Sequence, residues 1–200
     1  MSKVTLYHAP RSRSSRFIWL LEELETPYEI KLVSIRRGDG SGTQDPHNPH
    51  PHGKVPVISY DGTIVFESSA IALYLTDTFP KNNIGPLQGD ARRGAYLSWL
   101  AYYAGVMEPA FVSKFMKVTP PRGTAGWVDT DEVMAFVTKT LEAGPYFLGA
   151  VFSAVDVLFG STLALFLGNP LLPKTPLLEN YVARLKERPA YQRAVAKDNG

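Results

Sequence analysis

The chain has 200 residues, of which 44% are hydrophobic and 12% aromatic, with 21 basic against 19 acidic side chains. This length and composition suffice for one large or two small domains, and a formal charge of +2 without runs of like charge makes nucleic acid and anionic membranes poor candidate partners. The absence of cysteine excludes protein thiolate nucleophiles, disulfide exchange and thiolate metal sites.

The sequence has neither a secretory signal pattern nor an apolar stretch long enough to span a bilayer. A chain without cysteine also fits a reducing compartment. We therefore expect a cytoplasmic protein with no membrane partner.

The first part of the chain predicts a βαβ unit. Residues 3–8 (KVTLYH) combine β-branched and aromatic side chains and are followed by Pro10, which indicates a strand. Apolar residues recur at helical spacing over 17–24 and predict a helix. A second strand is predicted over 28–35, and strands joined by a helical crossover pair in parallel.

A hairpin and a helix are predicted next. The polar segment 36–52 is rich in Gly, Pro, Asn and His, which is typical of a loop. Two strand-like stretches, 57–60 and 63–67, then flank an Asp-Gly pair, a strong signal for antiparallel strands joined by a tight turn. Helical spacing follows, with Ser68 or Ser69 positioned to cap the helix.

A Pro-, Gly- and Asn-rich break over 80–90 separates this part from a second half without period-two alternation. We expect an α/β domain over 1–80, a linker over 81–88 and an all-helical domain over 89–200. Helical patterns in the second half lie near 90–117, 129–143, 153–168, 175–187 and 189–197.

Ser153 and Asp156 have the spacing of a capping box, with Asp in place of the usual Glu or Gln. We expect this pair to be structural and to start a central helix of the second half.

This order of elements, with Val-Pro before the hairpin, resembles the cytosolic glutathione S-transferases over essentially the whole chain. Four stretches carry the resemblance: APRSRSSRFIWLLEEL, HPHGKVPVI, FESSAIALYL and FSAVDVLFGSTLAL. The resemblance is to bacterial members with a serine at the end of the first strand. It implies a thioredoxin-like N-terminal domain that binds glutathione, a C-terminal all-helical domain and a homodimer.

The implied activity is conjugation of the glutathione thiolate to electrophilic, largely apolar small molecules, with a role in detoxification. Glutathione is then a substrate, and no metal is expected. A glutathione-dependent isomerase or peroxidase, and a non-catalytic binding or scaffold protein of the same fold, are the alternatives.

Three serines lie between the first strand and the first helix. A free thiol has a pKa near 8.5, so its thiolate needs a hydrogen-bond donor, and position in the family indicates Ser12. Ser14 is the alternative, although it is equally explained as a helix cap. Tyr7 is a lesser candidate, and Arg13 beside Ser12 would contact the second substrate.

Glutathione also presents two carboxylates and an ammonium group, and the resemblance implies a partner for each. Ser68, at a helix N-terminus, suits the γ-glutamyl carboxylate, and Glu67 suits the ammonium. Lys54 would pair with the glycyl carboxylate. A cis peptide bond to Pro56 would turn the main chain of Val55 toward the cysteinyl part. A helix cap and a solvated lysine are the structural alternatives.

An apolar pocket for the second substrate is expected between the domains. Tyr103 and Met107 belong to an aromatic and thioether stripe at helical spacing that suits flat apolar compounds. Core packing is the alternative for these positions.

His47, His50 and His52 lie close together in the polar loop. Metal sites need three or four ligands in fixed geometry, and this loop offers little carboxylate support and no thiolate. We therefore expect no metal.

Overall fold

The computed structural model describes residues 3–198, and its N-terminal part has the expected βαβ-ββα order. The Asp-Gly pair forms the predicted hairpin turn, because β3 and β4 pair in antiparallel fashion on either side of it. The elements are β1 (Val4–His8), α1 (Ser15–Leu24), β2 (Tyr28–Leu32), β3 (Val57–Tyr60), β4 (Thr63–Phe66) and α2 (Ser68–Thr78).

The four strands form one mixed sheet in the order β2-β1-β3-β4. The β1–β2 pair is parallel, as a helical crossover requires, and the β1–β3 pair is antiparallel. The second strand is shorter than predicted: β2 ends at Leu32, although the Val33 N–H still donates to the His8 carbonyl at 2.9 Å. This arrangement confirms the thioredoxin-like fold.

The second half is helical, as predicted, with α3 (Arg93–Tyr102), α4 (Glu108–Phe115), α5 (Thr130–Ala143), α6 (Ala154–Phe166) and α7 (Pro176–Lys186). The single helix expected over 90–117 is divided, because a π-helical turn over Tyr103–Met107 separates α3 from α4. A 3₁₀ turn, Pro80–Asn82, lies in the Pro-rich break.

Two expected helix caps have different outcomes. The capping box of α6 is confirmed: the Val155 N–H donates to Ser153 Oγ at 3.3 Å, and the Ser153 N–H donates to Asp156 Oδ2 at 2.9 Å. A serine at the N-cap of α2 is wrong, because the N-cap residue is Glu67, whose side chain makes no capping hydrogen bond.

The chain divides into two compact units, Met1–Ile84 with Arg188–Gly200, and Gly85–Glu187. The last helix, α8 (Pro189–Asp198), therefore belongs to the first unit, where it packs on α1. This differs from the helical domain expected over 89–200. The remaining domain limits stay a prediction. Among residues 3–198, none of the helices has the length and apolar character needed to cross a bilayer.

Ion pairs explain why α8 docks on α1. Arg193 Nε lies 2.6 Å from Glu22 Oε2, and Arg188 Nε lies 2.6 Å from Glu23 Oε1. Burial acts to raise the pKa of Glu22, but hydrogen bonds from Lys197, Tyr28 and Arg193 outweigh it and lower the pKa to about 2. These pairs link residues more than 160 positions apart, which local sequence patterns do not reveal.

Candidate active site

The loop after β1 buries its serines to different extents. Ser14 is completely buried, with 0% exposure, whereas Ser12 is partly exposed. The two hydroxyl oxygens lie 2.8 Å apart, and the Ser14 N–H donates to Ser12 Oγ at 3.2 Å. The loop therefore leaves Ser12 partly accessible and buries Ser14.

Ser14 occupies the N-cap position of α1, but its side chain makes no capping hydrogen bond. Its hydroxyl instead lies 2.8 Å from His8 Nδ1, accepts from the Ala9 N–H at 3.2 Å and is 3.3 Å from the Ala9 carbonyl oxygen, to which it can donate. The alternative explanation of Ser14 as an N-cap is confirmed for its position but not for a capping hydrogen bond, because the hydroxyl contacts the end of β1. Ser15 Oγ accepts from the Ser12 N–H at 3.4 Å.

His8 and Asp198 were not predicted as part of this region. His8 is 1% exposed, and its Nε2 lies 3.1 Å from Asp198 Oδ1. Burial lowers the pKa of His8, and the charge of Asp198 partly offsets this. A sequence signal existed: His8 follows Val4 and Leu6 at period two, which places an imidazole on the buried face of a strand, where it needs a polar partner.

The segment before β3 approaches the same loop. The peptide bond between Val55 and Pro56 is cis, as the resemblance implies. The Val55 side chain packs with Ala9 and Val33 in one apolar cluster. Among residues 3–198 no hydrogen bond joins the Val55 main chain to another backbone group. The Lys54 side chain is exposed, and its carbonyl accepts from the Asn48 amide at 3.0 Å.

Glu67 and Ser68 lie at the junction of β4 and α2. The Glu67 backbone has a positive φ of +71°, which is uncommon for a residue with a side chain. Its side chain is exposed, and Ser68 is partly exposed. Strained backbone of this kind is concentrated at functional sites, so the junction is a candidate binding element.

The sheet register brings the loop after β1, the residues before β3 and the residues after β4 to one end of the sheet. Tyr7 pairs with Val57, and Val57 pairs with Phe66. The loop after β1, the residues before β3 and the residues after β4 therefore all leave the sheet at the same end. Ser12, Val55 and Glu67 thus belong to segments that meet the sheet at the same end, although the sequence separates them widely.

Tyr7 and Arg13, which were also predicted as site residues, lie near the same end of the sheet. Tyr7 is half-buried and packs on the apolar cluster, with Lys31 Nζ 5.4 Å from its ring centre. Arg13 is exposed beside Ser12. Arg37 Nη2 donates to the Pro10 carbonyl at 3.0 Å and fastens the serine loop to the following polar loop.

Tyr103 and Met107 lie in the core of the helical unit, with 1% and 0% exposure. The Tyr103 hydroxyl donates to Glu108 and lies 2.8 Å from Thr162 Oγ1, and its ring packs edge-on against Phe159. The structure thus buries both side chains instead of presenting them to a second substrate, which is the core-packing alternative.

The histidine loop is organised by its own hydrogen bonds. The His50 N–H donates to Asn48 Oδ1 at 3.0 Å, and the His52 N–H donates to His50 Nδ1 at 3.0 Å. Burial lowers the pKa of His50, and Glu67 partly offsets this. Within residues 3–198 no three His, Asp or Glu side chains are grouped so that they could hold a metal ion.

The sequence of this chain is similar to those of known glutathione S-transferases. Residues 2–77 match the family described as glutathione S-transferase, N-terminal domain. Glutathione S-transferase 3 of Schizosaccharomyces pombe is 32% identical over 106 residues, and the match spans 53% of this chain and 43% of that protein. Glutathione S-transferase hmp2 of Hypomyces subiculosus is 28% identical over 211 residues, spanning 97% of this chain and 98% of that protein.

A solved structure covers both halves of the chain. The theta class glutathione S-transferase from Xanthomonas axonopodis pv. citri, determined with glutathione bound, is 27% identical and has a TM-score of 0.76 over 98% of each chain. Residues 2–77 thus match the glutathione S-transferase N-terminal domain, and the chain as a whole is similar to glutathione S-transferases in sequence and in fold.

Proposed function

We propose that this protein is a glutathione S-transferase of the serine type, and that the Ser12 hydroxyl donates a hydrogen bond to the glutathione sulfur. The thiolate then attacks an electrophilic, largely apolar small molecule. The observation that carries the assignment is the contrast in burial: Ser12 is partly exposed, whereas Ser14 has 0% exposure and cannot meet a ligand directly.

The energetic demand on the site is modest. Lowering the pKa of the thiol from about 8.5 by two units requires about 2.7 kcal/mol of preferential stabilisation of the thiolate. A hydrogen bond to a charged group contributes about 1.5–3 kcal/mol. The N-terminus of α1, which begins at Ser15, adds a favourable field for an anion. One hydroxyl at this position is therefore sufficient.

The remaining segments at this end of the sheet suit the rest of the tripeptide. The main chain of Val55 would bind the cysteinyl part as an added strand does. Ser68, at the start of α2, would bind the γ-glutamyl carboxylate, where a helix N-terminus favours an anion. Glu67 would bind the ammonium group, and the exposed Lys54 would bind the glycyl carboxylate.

Arg13 is the residue that we propose to contact the second substrate, since its side chain is exposed next to Ser12. The homodimer, the cytoplasmic location and the role in detoxification that the resemblance implies remain predictions. Light scattering of the purified protein would test the homodimer.

The test compares Ser12→Ala with Ser15→Ala, which removes a second hydroxyl from the same loop. Glutathione conjugation to an aryl halide is measured together with the ultraviolet absorbance of the bound thiolate as a function of pH. For Ser12→Ala we expect the thiol pKa to return toward about 8.5 and kcat/KM near neutral pH to fall about 10–100-fold, because the thiolate fraction falls. The fall in kcat/KM should be much smaller for Ser15→Ala.

Equal rates in Ser12→Ala and the wild-type protein would remove Ser12 from the mechanism. Glutathione binding without conjugation of any aryl halide would instead favour the isomerase or peroxidase alternative. A protein that binds no glutathione would favour a scaffold.

A further inference from the structure

Behind Ser12, a line of polar side chains runs into the interior. Ser12 Oγ lies 2.8 Å from Ser14 Oγ, and Ser14 Oγ lies 2.8 Å from His8 Nδ1. The opposite ring nitrogen, Nε2, lies 3.1 Å from Asp198 Oδ1. Since Ser14 and His8 are 0% and 1% exposed, the line begins at a surface hydroxyl and ends at a buried imidazole beside a carboxylate.

The charges in this line favour one arrangement of its protons. His8 Nε2 and Asp198 Oδ1 lie 3.1 Å apart without hydrogen-bond geometry. The charge of the carboxylate nevertheless favours the tautomer with its proton on Nε2, which leaves the Nδ1 lone pair facing Ser14. Burial lowers the pKa of His8, and a neutral ring near pH 7 can accept a proton. The charge of Asp198, on α8, acts to raise the pKa of His8. On the other side, the chain at the end of β2 brings the apolar residues Leu32 and Val33 beside His8.

We propose that Ser14, His8 and Asp198 form a proton relay that receives the thiol proton of glutathione through Ser12. The proposal rests on the proposed function, because it requires the glutathione sulfur to lie at Ser12. Ser14, His8 and Asp198 act through Ser12 and do not touch the substrate.

The step balances without a further reactant. The S–H bond breaks as its proton binds Ser12 Oγ, the former Ser12 proton moves to Ser14 Oγ, and the former Ser14 proton moves to His8 Nδ1. The sulfur keeps the electron pair, so a neutral thiol and a neutral imidazole become a thiolate and an imidazolium. After the step both hydroxyls donate toward the sulfur, and Asp198 stabilises the imidazolium.

The relay also explains why the Ser14 hydroxyl is not used as a helix cap. A cap stabilises a helix by about 1 kcal/mol, and this position forgoes it for contacts with His8 and Ser12. Once the thiolate has been consumed, the proton on His8 returns along the same hydroxyls to solvent. The serines therefore act as proton carriers and donors, and neither becomes a nucleophile.

Proton counting separates a relay from a buried hydrogen-bond anchor. Glutathione is added to the protein in weakly buffered solution near neutral pH, and the protons released to an indicator dye are divided by the thiolate formed. The thiolate adds a negative charge near His8 and so raises the pKa of the imidazole, which keeps part of the proton in a relay; the wild-type protein should therefore release measurably less than one proton per thiolate. The thiolate absorbance should also titrate in two steps, as expected of a coupled pair.

The variants His8→Asn and Ser14→Ala break the relay at different points, so a folding defect in one leaves the other as a test. In each, we expect a full proton released per thiolate and a single-step titration. His47→Asn removes an exposed imidazole outside the relay and should behave as the wild-type protein does. Circular dichroism spectra establish that the variants are folded.

Release of a full proton per thiolate by the wild-type protein, with single-step titration, would overturn the relay while leaving Ser12 as the donor. Unchanged proton counts in both folded variants would overturn it as well. The proposed function fails in a different way: Ser12→Ala would then form as much thiolate as the wild-type protein does.

Discussion

Replacing Asp156 by Asn should destabilise the helical unit, and the size of the loss should depend on pH. Asp156 has 0% exposure. Its Oδ1 accepts from the Phe147 N–H at 3.1 Å and the Tyr181 hydroxyl at 3.0 Å, and its Oδ2 accepts from the Ser153 N–H at 2.9 Å. An asparagine keeps one acceptor oxygen but places an amide donor at the other position.

The magnitude follows from the lost acceptor. If the amide oxygen keeps Phe147 and Tyr181, the Ser153 N–H is left unsatisfied, and such a group costs about 1–3 kcal/mol when buried. We expect a loss of about 2 kcal/mol in the free energy of unfolding near pH 4, where the wild-type carboxyl is largely protonated in the folded state.

The loss should shrink as pH rises. Burial raises the pKa of Asp156 to about 6, even though its hydrogen bonds act to lower it. The folded state therefore retains a proton that the unfolded state releases near pH 4, and stability from this group falls between about pH 4 and pH 6. Asparagine does not titrate, so the free energies of unfolding of the variant and the wild-type protein should become similar by about pH 8.

Urea unfolding followed by circular dichroism at both pH values measures the difference, and comparing variants cancels the titration of other groups. Thr175→Ala is the control, because it removes the side-chain cap of α7, worth about 1 kcal/mol, and Thr175 is not one of the hydrogen-bond partners of Asp156. Equal unfolding midpoints for Asp156→Asn and the wild-type protein at both pH values would refute the reasoning.

Three further changes have expected outcomes. Glu22→Gln should cost about 1–2 kcal/mol near pH 7, and the difference should vanish as pH falls from about 4.5 toward 2, where the wild-type carboxylate is protonated; acid unfolding monitors this. Gly160→Ala places a Cβ 2.2 Å from Leu185 Cδ1 and should lower stability by about 1–3 kcal/mol, whereas Gly94→Ala meets open space and should not; thermal melts compare them. Ser68→Ala should raise the KM for glutathione severalfold with a smaller change in kcat, measured by steady-state kinetics.

The fold could be predicted because its signals are local. The Asp-Gly turn, the switch from period two to helical spacing and the Ser153–Asp156 box each depend on residues a few positions apart, and each was confirmed. The missed cap on α2 has a local cause as well. Glu67 adopts φ +71° at the N-cap position, and no propensity favours a glutamate there.

Long-range contacts set the limit of the sequence-based predictions. The helical pattern at the C-terminus predicts α8 correctly, but only the ion pairs to Glu22 and Glu23 reveal that it packs on α1. Similarly, Tyr103 and Met107 lie on a helical stripe whose facing is set by partners such as Thr162 and Phe159. Apolar periodicity identifies a buried face and cannot say whether a protein core or a ligand covers it.

The docking of α8 also changes what the serine loop can do. A serine hydroxyl alone can only donate to a thiolate, and the displaced proton must then pass directly to water. Because α8 brings Asp198 to 3.1 Å from the ring that contacts Ser14, the same loop gains a base that can hold the proton as an ion pair. Under the proposed relay, the ion pairs that fix α8 to α1 would support the chemistry at Ser12 as well as the fold, and we expect a change that loosens them to reduce proton retention on His8 before it unfolds the protein.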